Sequence, residues 1–146
     1  MFTNFYLNIQ LVSDYAKLPT RASIGDAGLD FYTPIDIKID PFKDVLIPLD
    51  IKIEMPQGFA LIIKEKSGIA TKKKLSIGAC VIDAFYRGVC HVHLFNHSDQ
   101  EVIFNTGDKI AQGIIVPIWD GQPKQVDEIS IDTSRGIGGF GSTGEK

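Results

Sequence analysis

A chain of 146 residues, 44 % hydrophobic and 23 % charged, carries enough apolar content for one folded domain and too much for a disordered segment. Its net charge of −3 excludes a whole-molecule basic surface for nucleic acid. An anionic ligand therefore needs a local cluster of cations or backbone amides.

Two cysteines, Cys80 and Cys90, form neither a disulfide framework nor a zinc spacing and read as buried thiols acting as small hydrophobes. No apolar run reaches the roughly 18 residues of a membrane span. Met1 to Tyr6 shows no basic n-region and no long apolar core, which leaves the cytoplasm, or a host's cytoplasm if the chain is viral, as the expected compartment.

In chain order, Ile35 to Asp40 alternates with isoleucine on one face, as a half-buried strand does. Asp50 to Met55 repeats the pattern, and Pro56-Gln57-Gly58 reads as a turn. Phe59 to Ile63 is a short apolar run consistent with a strand covered on both faces. Ser67 is the expected N-cap of one short helix from Gly68 to about Lys74. Val89 to Phe95 and Gln112 to Ile118 are further strands. Turn signals separate these elements at Thr33-Pro34, Asp40-Pro41, Asn96 to Asp99 and Asn105 to Asp108. Short strands at this spacing predict a single, mainly antiparallel β-domain, a barrel or a sandwich.

Chemistry has five candidate places. Asp83 stands among apolar residues, with an aromatic three positions on, so it is expected to be a buried acid with a partner, Arg87 being the nearest, or with a task. Asp30 has similar neighbours, and a turn or strand-edge role is the plainer reading. Lys64 to Lys74 packs five lysines around Ser67-Gly68. A solvated basic face explains such a run, and a phosphate site at a helix N-terminus is the sharper alternative. His91 and His93 share a strand face ahead of His97, yet no carboxylate or cysteine completes a metal set there. The segment from Arg135 to Lys146 holds five of the chain's 14 glycines among an arginine, an aromatic and two hydroxyls. Such a mix suits a flap over a phosphorylated, ring-bearing ligand.

Five stretches resemble, in order, the five motifs of the homotrimeric dUTPase family. They are Ala27-Gly28-Leu29-Asp30, Lys66-Ser67-Gly68-Ile69-Ala70, Val81 to Gly88, Gly107 to Gln112 and Arg135 to Gly144. The resemblance implies a distorted jelly-roll-like barrel, all-β with one short helix, assembling as a homotrimer with shared active sites. It divides the chain into a β domain, 1–134, and a C-terminal flap, 135–146. It implies Mg²⁺-assisted hydrolysis of dUTP to dUMP and pyrophosphate, which limits uracil in DNA and supplies dUMP for dTMP synthesis.

By position, the resemblance makes Asp83 the group that orients water at the α-phosphorus. Tyr86 would pack on the deoxyribose and refuse a 2′-hydroxyl. The backbone from Gly78 to Val81 would read the uracil edge. Lys66, Ser67, Gly68 and Gln112 would lie on the phosphates. Asp30 would sit near the Mg²⁺ waters or brace the phosphate site. Arg135, Gly141, Ser142 and Thr143 would clamp the γ-phosphate under a stacked Phe140. No direct DNA binding and no membrane partner are expected.

The chain departs from the family's pattern in two places. Glu65-Lys66 stands where Pro-Arg is usual, which keeps a cation but loses the planar fork that holds phosphate bidentately. Phe85 replaces a common acid before Tyr86. Two other readings stay open on the sequence: a dCTP deaminase of the same fold, which wants a glutamate in the base pocket, and a non-catalytic dUTP-binding module. Ammonia release from dCTP separates the first, and absence of turnover the second.

Overall fold

A computed structural model of the chain describes residues 6–134 together with Gly136 and Ile137. Arg135, Phe140, Gly141, Ser142 and Thr143 lie outside the described residues. The strands, in chain order, are β1 (Asn8–Leu11), β2 (Gly28–Tyr32), β3 (Ile37–Ile39), β4 (Asp44–Pro48), β5 (Ile51–Glu54) and β6 (Phe59–Lys64). Then come a helix, α1 (Ser67–Lys73), and β7 (Leu75–Ile77), β8 (Val81–Ile82), β9 (His91–Asn96), β10 (Val102–Phe104) and β11 (Lys109–Pro117).

Every strand pairing is antiparallel. One sheet runs β2-β11-β6-β8, a second β4-β9-β7, and two ribbons pair β1 with β5 and β3 with β10. The result is the distorted jelly-roll-like barrel that the family resemblance implies. Alternation explains the individual strands: Ile37 and Ile39 are buried on either side of exposed Lys38, and Ile51 and Ile53 point inward beside Lys52. Phe31, Ile47, Leu61, Ile63, Leu94 and Ile110 fill the centre, each contributing roughly 1.5–3 kcal/mol by leaving water.

The four turn signals fall between elements, except that Asn96 is still the last residue of β9. Gly107 turns at a φ of 90° and Gly58 at 83°, a left-handed region that side chains resist. β3 is shorter than its alternation suggests, since Ile35 stays outside it and half in solvent. The helix also differs from expectation. Ser67 is its first residue rather than its N-cap; Lys66 occupies the cap in extended geometry with no side-chain cap bond. The Ser67 carbonyl instead accepts a bond of 2.8 Å from the Thr71 hydroxyl. Lys72 and Lys73 lie in the last turn, where cations complement the helix dipole.

Among the described residues no helix is long and apolar enough to cross a membrane.

Candidate active site

Between β7 and β8 the chain leaves one sheet for the other. Gly78 N–H still donates to the His93 carbonyl (2.9 Å), while the Cys80 carbonyl already accepts from Ile63 N–H (2.7 Å). No side chain fits at Gly78, because a Cβ there would run into the His93 ring and lie 2.6 Å from the Phe95 ring. After β8, Asp83 to Tyr86 forms a turn closed by Tyr86 N–H on the Asp83 carbonyl (3.1 Å).

The Tyr86 ring folds back over Gly88, and its hydroxyl donates to the Val89 carbonyl (3.0 Å). Val89 also accepts from His91 Nδ1 at 2.9 Å. These pieces surround one cleft of about 190 Å³. Ala79, Val81, Asp83, Tyr86 and His91 are on its wall, with Cys90 and Ile63 at its base.

Asp83 is exposed, not buried as its apolar neighbours suggested. Sequence neighbours alternate between faces, so Ile82 and Ala84 turn inward and leave Asp83 outside. Arg87 does not pair with it; its guanidinium donates to the Ala84 and Tyr86 carbonyls at 2.6 and 3.0 Å. Phe85 is 77 % exposed.

The second group of expected residues gathers on β2, β11 and the entry to α1. Asp30 is 4 % exposed. One carboxylate oxygen meets Lys66 Nζ and the other lies 2.7 Å from Lys109 Nζ. The second contact is an ion pair by distance; the approach angle is poor for a hydrogen bond. Burial alone pushes the Asp30 carboxyl up, but the two ammonium groups outweigh it and hold the acid below its ordinary value.

Gln112 sits directly across from Asp30 on one side and Lys64 on the other. Its amide donates to the Glu65 carbonyl at 2.9 Å, and its side chain covers the bare Cα of Gly28. Glu65 turns to Lys64 at 3.2 Å.

Asp83 and Tyr86 stand apart from the Asp30 group within the chain, whereas Cys80, bonded to Ile63, lies on the side nearer Lys66. Ile82 pairs with Leu61, and Lys66 lies five residues beyond Leu61 along extended backbone, on the order of 15 Å away. Asp83, Tyr86 and the Gly78–Val81 backbone come together; Asp30, Lys66, Ser67, Gly68 and Gln112 come together elsewhere.

The dUTPase family model matches residues 14–144. A deoxyuridine 5'-triphosphate nucleotidohydrolase from Arabidopsis thaliana is 42 % identical over 139 residues, covering 95 % of this chain and 83 % of its own. The chain belongs to the dUTPase family. The solved dUTPase of Staphylococcus bacteriophage 80alpha, a mutant form with dUpNHpp, superposes with a TM-score of 0.89 at 27 % identity, over 97 % of this chain and 99 % of its own. A mutant of the dUTPase from phage phi11 of S. aureus, which coordinates a structural Mg(II) ion, superposes with a TM-score of 0.78 at 29 % identity, over 84 % and 97 %.

Three contributors to these two groups carry no assignment from the sequence. Lys109 lies inside the fourth motif, and its charge is the signal that could have singled it out. The Val89 and Glu65 carbonyls that hold Tyr86 and Gln112 are backbone groups, and no residue type announces them.

The histidines go to separate partners: His91 to Val89, His93 to Asp44 Oδ2 at 2.9 Å, and His97 to the Ser76 hydroxyl at 2.6 Å. Among the described residues no three His, Cys, Asp or Glu side chains gather as a metal site. Cys90 is buried and Cys80 only partly so; burial pushes the Cys90 thiol up to about 11.

Proposed function

We propose that this chain hydrolyses dUTP to dUMP and pyrophosphate, with Asp83 holding the water that attacks the α-phosphorus. The observation that supports this best is the meeting, in one cleft, of an exposed carboxylate with no partner among the described residues, an aromatic ring and a run of backbone polar groups. Asp83 acts by steering the nucleophile and taking its proton late. Holding two reactants in attack geometry can itself supply on the order of 7–11 kcal/mol.

Tyr86, pinned to Val89 and 45 % exposed, offers a fixed ring for the deoxyribose. The Gly78–Val81 backbone offers polar groups for the edge of uracil. Ser67, Gly68 and Gln112 are assigned to the phosphates, with Lys66 and Lys109 adding positive charge around Asp30. In that arrangement Asp30 is a brace.

Mg²⁺ prefers a rigid shell of oxygens, and Asp30 already faces two ammonium groups. Among the described residues no three His, Cys, Asp or Glu side chains form a protein-held site for the ion.

The separation of cleft and cation patch supports a site completed by other copies of the chain, and we assign a homotrimer. After β11, Trp119, Ile129 and Ile131 are 80 %, 78 % and 71 % exposed in the single chain, as expected of an arm that packs on a neighbour. Arg135, Phe140, Gly141, Ser142 and Thr143 are assigned to a flap, residues 135–146, closing over the triphosphate.

The decisive test is pyrophosphate release from dUTP, dTTP, dCTP and UTP, with and without Mg²⁺. Turnover confined to dUTP is expected, and ammonia from dCTP without pyrophosphate from dUTP overturns the assignment. Removal of residues 135–146 is expected to cut turnover severely while the β domain stays folded and associated.

A further inference from the structure

The face of β9 opposite the core carries a hydrogen-bonded chain that ends at the cleft. Where the backbone crosses from β7 to β8, Gly78 N–H and the Cys80 carbonyl each have a backbone partner. Ala79 N–H, between them, faces His93 Nδ1 at 3.4 Å. The far nitrogen of the same ring, Nε2, lies 2.9 Å from Asp44 Oδ2. An amide N–H can only donate and an ionised carboxylate can only accept. Both bonds exist together only when His93 is neutral, with its hydrogen on Nε2 and Nδ1 bare. The ring is wedged between the missing side chain of Gly78 and Phe95, whose centroid is 4.6 Å away. It cannot turn over without disturbing the crossing.

We infer that His93, oriented by Asp44, is a positioning residue for the Gly78–Val81 backbone, setting the groups that read the nucleotide base. This rests on the assignment of the cleft to dUTP. Asp44 acts through His93, and its carboxyl is held below the ordinary value first by that bond. Ala79 N–H, tethered from behind, keeps the crossing in one shape before ligand arrives, so that binding need not order it.

Two substitutions separate the ring's two nitrogens. Asparagine carries a carbonyl oxygen close to where Nδ1 stands, so His93→Asn retains an acceptor for Ala79. Glutamine reaches to the Nε2 position, so His93→Gln keeps a partner for Asp44 and strands the Ala79 amide. The Gln variant is expected to raise KM for dUTP about fivefold, the worth of one ordinary hydrogen bond, with a smaller change in kcat. The Asn variant is expected to restore KM toward the parent. Equal KM in the two variants, at matching melting temperatures, overturns the inference.

A measurement on the unsubstituted protein is independent of turnover. Nitrogen-15 NMR should find His93 protonated at Nε2 and bare at Nδ1, and the opposite tautomer overturns the proposal. If the parent protein fails to release pyrophosphate from dUTP, the functional assignment falls. The tautomer, and slower exchange of the Ala79 amide in parent than in His93→Gln, then still decide whether the relay exists.

Discussion

Two ends of the β6 sheet handle a carboxylate in opposite ways. At one end Asp83 stands exposed at the mouth of a cleft with no partner among the described residues. At the other, Asp30 is almost fully buried between two lysines. Burial is tolerable for Asp30 because the charge is neutralised on the spot. Asp83 needs no neutralisation because water solvates it. The difference teaches that a free carboxylate is available for chemistry and a paired one for architecture.

The sharpest break in that comparison is Asp83→Asn. It keeps size and exposure and removes the proton acceptor. The rate of pyrophosphate release is expected to fall by at least about a hundredfold, at the low end of what a positioned proton acceptor contributes. Binding of dUTP, followed by calorimetry, should persist. Turnover comparable to the parent would remove Asp83 from its role.

The same change at the other end, Asp30→Asn, should act on stability first. It leaves Lys66 and Lys109 facing one another without their counter-ion, at a cost of roughly 2–3 kcal/mol, less than for a wholly buried pair because both lysines reach solvent. Denaturant unfolding measures it. The pH dependence follows from the lowered carboxyl. The folded value lies below the unfolded value of 3.8, so the contribution is fully present above that pH and disappears as pH falls through the folded value. Acid unfolding of Asp30→Asn should therefore be flatter below about pH 4 than that of the parent.

Gly78→Ala tests how tightly the cleft backbone is set. The added methyl meets the His93 and Phe95 rings, and overpacking of this kind costs about 2 kcal/mol. Melting temperature should fall and KM for dUTP should rise together; a change in neither shows that the rings yield freely.

The smallest effect belongs to Cys90 at the base of the cleft. Its thiol is raised from 9.0 to about 11 on folding, so the folded state keeps its proton longer. Stability is retained below pH 9 and lost as pH climbs toward the folded value, about 1.4 kcal/mol by about pH 10. Cys90→Ala should remove that alkaline slope, whatever it does to stability at neutral pH.

Much of this was legible in the residues. Ile51 to Glu54 and Ile37 to Ile39 announced themselves because a sheet face in contact with the core imposes period two. The order of five motifs from Ala27 to Gly144 carries the resemblance to the family without any tertiary contact. β2 was only partly legible. Asp30 read as a turn or strand-edge residue, and Gly28–Tyr32 form an edge strand because β11 pairs alongside them and the Gln112 side chain fills the space over Gly28. β8, two residues long, exists only because Ile63 and Leu61 offer it partners. Ser67 failed as a cap because Lys66 is held in extended geometry at that position, with its ammonium on Asp30.

By itself, then, the sequence determined the class of fold, the antiparallel strands with strong alternation, and which residue types could serve a triphosphate. These depend on local pattern and chemistry, which travel with the chain. Tertiary structure alone decided that Asp83 is open and Asp30 closed, and that Lys109 joins Lys66. It also decided that the cleft and the cation patch lie apart. Those depend on the pairing of residues roughly 20 to 80 positions away in sequence, and charge pairing and burial act through space, where sequence distance has no bearing.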